Sequence, residues 1–173
     1  MKAIKTKRLR LELVSEEHVK DIYEIYSSEQ ICKYYDIEPF EEMEDSKRHI
    51  ERWHYFYEKG YQVRYVIILN NVVIGTCGLY SINRRHGRAC IGYELKESYW
   101  GHGYAKEAVA SLMDNLQEEL DLVRIQAEVM PDNNKSIKLL ENLGFNYEGE
   151  LKSYEKWGKK GYVDLLMYSK IYL

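Results

Sequence analysis

The 173-residue chain is poor in several things, and each scarcity removes a class of protein. It has three cysteines, Cys32, Cys77 and Cys90, scattered and without a CxxC pair. That excludes a disulfide framework and reads as reduced thiols in a cytosolic, cytoplasmic protein. No run of about 18 apolar residues occurs, so membrane spanning is not expected, and the opening MKAIKTKRLRLEL carries no apolar h-region that would direct export. Charge of one sign is not in excess: 25 Lys and Arg meet 28 Asp and Glu, a formal charge of −3. A dedicated nucleic-acid binder should show a basic surplus instead. The five histidines, His18, His49, His54, His86 and His102, form no HxH or HxxxH pair and no Cys/His cluster, so no metal site is indicated. There are two prolines, no Ser/Gly-rich linker and no internal repeat. One domain over residues 1–173 is the economical reading, because two of half this size would each be marginal. Seventeen tyrosines against three phenylalanines point to many half-buried rings with wet hydroxyls.

What is present reads as alternating strands and helices. Leu9, Leu11 and Leu13 alternate with charged residues, as in a half-buried strand. Ser15 opens a helix carrying Val19, Ile22, Tyr23, Ile25 and Tyr26, and the acidic stretch Glu41 to Asp45 leads into a second helix over residues 46–57. QVRYVIIL and VVIGTCGLY are strands joined at Asn70-Asn71, a two-residue hairpin turn. A third strand, ACIGYEL, precedes SYWGHGYAKEA, after which Ala105, Ala108, Val109, Leu112 and Leu116 follow at helical spacing. The strand VRIQAEV, a helix with Ile137, Leu140 and Leu143 on its apolar side and the helix-ending Gly144, and two strands near 147–154 and 162–171 complete the chain.

The stretch Trp100-Gly101-His102-Gly103-Tyr104-Ala105 lies between a strand and an amphipathic helix. Two glycines one apart let the backbone bend tightly toward the unpaired N–H groups and positive dipole end of the helix behind them, a site suited to phosphate. A glycine turn serving only chain geometry is the plainer alternative. No Walker GxxxxGK[ST] loop occurs, and Lys106 stands where a GxGxxG fingerprint needs a small residue. Nucleotide hydrolysis and nicotinamide chemistry fall away.

The remaining pattern resembles the GNAT acetyltransferase superfamily. Gly103 and Ala105 fill the last two defined positions of its [Q/R]-x-x-G-x-[G/A] acetyl-CoA loop, while Trp100 stands where Gln or Arg is usual. That departure is similar to the WGKGYA loops of the RimJ/RimL-like ribosomal-protein branch. Asn133-Asn134-Lys135-Ser136 followed by Leu139 to Phe145 resembles the branch's N-x-x-S-x-x-x-x-x-x-L-G-F segment, and further echoes, TKRLRLELV, Ile91-Gly92-Tyr93, GELKSY and GYVDLLMYS, run in order along nearly the whole chain. The resemblance implies one α/β (α+β) domain: a mixed, mostly antiparallel sheet of about seven strands, splayed in the middle and flanked by about four helices.

It also implies roles. Acetyl-CoA is the expected acetyl donor, its diphosphate held by backbone N–H groups of Gly101, His102, Gly103, Tyr104 and Ala105, with Trp100 also expected among the cofactor-binding residues. Its pantetheine is expected to pair with the backbone of Tyr93, Glu94 and Leu95, and an N–H near Leu95 to serve as oxyanion donor. Asn133 would contact the pantetheine amides. The family's usual acid, a tyrosine seven residues after that asparagine, is replaced by Leu140. Ser136 fits the branch's serine, as acid or as cofactor contact; a hydroxyl at a helix start also bonds backbone. Cys90 stands where relatives often carry a glutamate, and strand alternation places it with Gly92 and Glu94, so Glu94 is the candidate base. A lone strand cysteine is mostly an inert small hydrophobe, so direct attack by the amine is expected rather than an acyl-enzyme.

The acceptor expected from the resemblance is a protein N-terminal α-amine of ribosomal-protein type. A small-molecule amine, polyamine or aminoglycoside-like, is the alternative, with Glu38, Glu41, Glu42, Glu44 and Asp45 as candidates for a polyamine group. A non-catalytic CoA-binding module is a third reading, and monomer and homodimer both stay open. No nucleic-acid or membrane partner is expected.

Overall fold

Asn70 and Asn71 both hold positive φ, 49° and 64°, as the central pair of a type I′ hairpin turn requires. They join β3 (Val63–Leu69) to β4 (Val72–Asn83). In the computed structural model, which describes residues 1–172, six further strands extend this hairpin. They are β1 (Ile4–Lys5), β2 (Arg10–Leu13), β5 (Arg88–Leu95), β6 (Arg124–Val129), β7 (Asn146–Trp157) and β8 (Gly161–Ile171). The sheet runs β1-β2-β3-β4-β5-β6-β8-β7, and among the described residues only the β5–β6 pair is parallel.

The eighth strand beyond the expected seven is the two-residue β1, too short to leave an alternation in the sequence. The helices are α1 (Val19–Tyr26), α2 (Glu29–Cys32), α3 (Met43–Glu58), α4 (Tyr104–Glu119) and α5 (Asn134–Asn142). The one not anticipated is α2, a single turn with no room for an apolar period. Ser15 opens a 3-10 turn, Glu16–His18, that runs on into α1. The acidic stretch expected to lead into the second helix instead forms its start, three residues earlier than read: the N–H of the N-cap Glu42 donates to Asp45 Oδ2 at 3.0 Å, and acidic side chains are favoured at this end by the helix dipole.

Helices cover both faces of the sheet. Ala108, Val109, Leu112 and Leu116 of α4 with Leu140 of α5 pack on Ile67, Leu79, Ile91 and Ile125. On the other face, Ile22, Ile25 and Tyr26 of α1 with Ile50 and Trp53 of α3 pack on Val66, Ile68 and Val73. Because β3 is buried from both sides, it reads as a nearly continuous apolar run rather than an alternation.

The feature that places the site lies between β5 and β6. Their pairing covers only Arg88↔Arg124, Ala89↔Ile125 and Cys90↔Gln126. Beyond that, β5 runs on to Leu95 and β6 to Val129 with no further pairing between them, and the sheet opens in a V.

Under the α1–α3 layer the His49 ring sits among Tyr26, Phe40 and Trp53, with centroids 5.4, 5.4 and 4.4 Å away. Burial, with the Arg64 charge adding to it, lowers its pKa to about 4. The unfolded imidazole titrates near 6.5, so as pH falls from 6.5 toward 4 the unfolded chain takes a proton that the folded one refuses. The stability His49 confers is therefore intact above 6.5 and is lost below it, by about 2 kcal/mol between pH 7 and pH 5. Urea unfolding at the two pH values should show a correspondingly smaller drop for His49→Phe.

Candidate active site

Gly101 and Gly103 both sit at φ +78°, in the left-handed region that L side chains avoid. Gly103 is the N-cap of α4 and no side chain caps that end. The N–H groups of Tyr104, Ala105 and Lys106 in the first turn have no intrahelical acceptor, and the positive end of the helix dipole lies with them. Gly101, His102 and Gly103 are exposed, and nothing lies within 4 Å of where a Cβ on Gly101 would stand. This open cradle of donors fits a diphosphate. Valine at position 103 combines positive φ with a β-branched side chain. Gly103→Val is expected to weaken CoA binding about five- to thirtyfold by calorimetry, since the strain of about 1–2 kcal/mol falls on the cradle itself.

The loop is braced from three sides. The Trp100 indole Nε1 donates to the Leu95 carbonyl at 2.8 Å, and the Lys135 ammonium lies 3.9 Å from the Trp100 ring centre. Trp100 thus ties the loop to the end of β5 and to the start of α5. Arg8 donates from Nη1 to the His102 carbonyl at 3.0 Å and from Nε to Glu107 Oε2 at 2.6 Å, while its guanidinium covers the Tyr104 ring at 4.5 Å. Sequence reasoning missed Arg8, because no local pattern announces a contact 94 residues away.

Along the V-shaped gap, backbone direction separates the expected cofactor contacts. The Lys96 N–H donates to Ile74 on β4 at 2.8 Å, whereas the carbonyls of Leu95 and Tyr93 receive side chains, the Trp100 indole and the Tyr35 hydroxyl at 2.5 Å. By the two-residue period of a strand, the backbones of Tyr93 and Leu95 face the gap, and that of Glu94 faces β4. The expectation of a pantetheine contact at Glu94 is corrected accordingly.

The side chain of Glu94 is also not where a base is needed. It is buried against Arg64, whose Nη2 donates to Glu94 Oε2 at 2.5 Å, and it accepts from Tyr26 at 2.5 Å and from Thr76. Arg64 further donates to Thr76 at 2.7 Å and to the Gly92 carbonyl at 3.2 Å. Burial pushes the Glu94 carboxyl up, but the guanidinium and these donors together hold it below its ordinary value. Glu94 is a structural anion, and the candidate base is corrected for that reason.

On the α4–α5 side of the gap, the Ser136 and Tyr93 hydroxyls lie 2.8 Å apart. Asn133 Oδ1 accepts from the Ser136 N–H at 3.2 Å, so Asn133 caps α5. Leu140 is fully buried in the core. The family's tyrosine position is therefore filled by packing, while a phenol reaches Ser136 from β5 instead.

The opposite side holds what the sequence reading missed. Ile125, Ala127 and Val129 join the α4–α5 core, which turns Gln126 and Glu128 to the other face. There Tyr80 donates to Glu128 at 3.3 Å, and Gln126 Nε2 donates to Cys90 Sγ at 3.3 Å. Glu155 of β7, itself held by the Trp157 indole at 2.7 Å, stands close enough to act on Glu128. Burial first, then the Glu155 charge, raise the Glu128 pKa. Cys90 is buried, and burial pushes its thiol up to about 12, so it stays protonated and is a poor nucleophile. Strand alternation in RIQAEV carried the signal for Glu128; the long β7–β8 hairpin that delivers Glu155 carried none.

That face opens toward the loop after α2. Lys160, at the tip of the β7–β8 hairpin, donates to the carbonyls of Lys33 at 2.7 Å and Cys32 at 3.2 Å, bridging hairpin and loop beside a cavity of about 340 Å³. An adjoining groove of about 870 Å³ is lined by Asp36, Glu38, Glu41, Glu42 and Asp45 together with Arg48 and Arg52. Among the described residues no three His, Cys, Asp or Glu side chains gather into a metal-binding group, and no helix is long and apolar enough to cross a membrane.

Comparison with known proteins agrees with this geometry. The sequence model of the acetyltransferase (GNAT) domain matches residues 8–146. An uncharacterized N-acetyltransferase p20 of Bacillus licheniformis is 38% identical over 171 residues, 98% of this chain and 96% of that protein. The ribosomal-protein-serine acetyltransferase of Escherichia coli (strain K12) is 26% identical over 94% of this chain and 92% of its own length. Among solved structures, RimL, a ribosomal L7/L12 alpha-N-protein acetyltransferase in complex with coenzyme A, shares the fold at a TM-score of 0.90 and 24% identity, covering 98% of both chains. The cradle, the splayed strands and these likenesses meet in one conclusion: the chain belongs to the GNAT acetyltransferase family and is an N-acetyltransferase that draws its acetyl group from acetyl-CoA.

Proposed function

We propose that this enzyme acetylates the α-amine of a protein N-terminus of the ribosomal-protein kind. The observation that carries the reading is the likeness, over nearly its whole length, to the E. coli ribosomal-protein-serine acetyltransferase, joined to a gap whose two faces differ in chemistry. Acetyl-CoA supplies an activated thioester, so no enzyme nucleophile is needed. Backbone N–H groups of residues 101–105 hold its diphosphate, those of Tyr93 and Leu95 line its thiol arm, and the Leu95 N–H is the oxyanion donor. Ser136 holds a hydroxyl proton at Oγ for the leaving sulfur. On the other face, Glu128, with Glu155 beside it, accepts the proton of the amine. A free α-amine has a pKa of about 8, and a carboxylate with a raised pKa is the better matched base for it.

A small polyamine is the second reading, favoured by the five acidic side chains of the groove. Against it, Arg48 already pairs with Asp45 at 2.5 Å, and Arg52 lines the same groove. Steady-state assays with peptides bearing N-terminal Ser or Ala, spermidine and an aminoglycoside separate the readings. Peptide kcat/KM is expected to exceed that of the small amines at least tenfold; exclusive polyamine turnover would overturn the proposal. Thiol release at background across the whole panel would leave a CoA-binding module.

A further inference from the structure

We propose that Tyr93 is a positioning residue for the leaving group: its phenol donates to Ser136 Oγ and so leaves the Ser136 hydroxyl proton free to point into the gap. The inference rests on the acetyl-transfer reading of the site and adds a residue to it. Three observations carry it. The two hydroxyls are 2.8 Å apart and come from different elements, β5 and the first turn of α5. The Ser136 N–H is already committed to Asn133, which fixes the turn and leaves the side chain to choose between Tyr93 and the gap. Burial raises the Tyr93 phenol above its ordinary value and outweighs the lowering by its hydrogen bond with Ser136, so near neutral pH the phenol keeps its proton and can donate it.

A lone serine hydroxyl beside a sulfur spends much of its time turned to other acceptors. With a phenol occupying one lone pair, its own proton is directed away from Tyr93, and a donor that also accepts is polarised and strengthened. The pair lends hydrogen bonding and gives up no net proton. As the N–C bond forms, the C–S bond breaks and its electron pair goes to sulfur, which leaves as a thiolate hydrogen-bonded by Ser136, while the proton of the amine goes to Glu128.

The test reads the protein–CoA complex as well as turnover. The thiol of bound CoA, titrated by its thiolate ultraviolet absorbance, is expected to ionise at lower pH than free CoA. Tyr93→Phe should move it back toward the free value by about one pH unit. One lost hydrogen bond of this kind is also expected to lower kcat up to about tenfold, with KM for acetyl-CoA within about twofold. Ser136→Ala should give the same thiol titration as Tyr93→Phe, and the double variant no further change. An unaltered thiol titration in either single variant overturns the proposal, and Ser136→Ala decides alone should Tyr93→Phe not fold. Absence of CoA binding by the wild type would instead strike at the acetyl-transfer reading. Failure of peptide acceptors would leave the thiol result standing.

Discussion

Replacing Arg64 by leucine while Glu94 stays is expected to cost about 3–5 kcal/mol of folding stability, because it leaves a buried carboxylate without its counter-charge. The Arg64 and Glu94 side chains are 8% and 4% exposed, so water cannot stand in for the lost partner. The guanidinium serves more than one neighbour: it meets Thr76, Tyr26 and the Gly92 carbonyl as well as Glu94, and lies over the Trp53 ring at 5.3 Å. Removing both charges together, as Arg64→Met with Glu94→Leu, should recover most of the loss, since the two desolvation penalties vanish with the pair. Urea unfolding of the single and double variants measures this. The folded-state carboxyl is held below its ordinary value, so its contribution is present above that value and is lost as pH falls through the lowered one. The double variant should therefore resist acid better than the wild type relative to its stability at pH 7. It should also keep acetyl transfer per folded molecule within about tenfold, because Glu94 holds the α1–α3 layer to the sheet and takes no proton from the acceptor.

How Glu94 came to look like a base shows where sequence reading reaches and where it stops. Strand alternation is a local property, and it placed Cys90, Gly92 and Glu94 on one face correctly. What a face meets is not local: Arg64 lies 30 residues away and Tyr26 lies 68 away, and nothing in the ACIGYEL run announces either. The same division runs through the fold. The Asn-Asn turn, the strands that carry their own alternation, the helices with an apolar stripe and the glycine loop are written in short windows, and the structure has them there. The two-residue β1, the single-turn α2 and the bracing of the loop by Arg8 depend on partners far along the chain. The splay of β5 from β6 was implied by the family likeness alone, since no residue in either strand forbids pairing beyond Cys90 and Gln126.

Glu128→Gln is expected to lower kcat by about a hundredfold or more with peptide acceptors, the range that general-base assistance supplies, while leaving CoA affinity unchanged. The argument is electrostatic. A carboxylate that must accept a proton from an amine near pH 7.5 works best when its own pKa is brought upward toward that pH. Glu128 is raised by burial and by the Glu155 charge, whereas Glu94, paired with a guanidinium, is lowered; of the carboxylates around the gap, Glu128 is the one shifted in the useful direction. Wild-type kcat should climb as pH rises through that elevated value, because the base must be ionised to act. In Glu128→Gln this limb should vanish, leaving only the ionisation of the amine itself, near 8. Glu155→Gln gives the complementary result. Losing a like charge lets Glu128 ionise more easily, so its limb should shift to lower pH with a smaller loss of rate than in Glu128→Gln. A wild-type acid limb in Glu128→Gln would place the base elsewhere. The opposite order of effects, with Glu155→Gln abolishing the limb and Glu128→Gln merely displacing it, would exchange the two roles within the same pair.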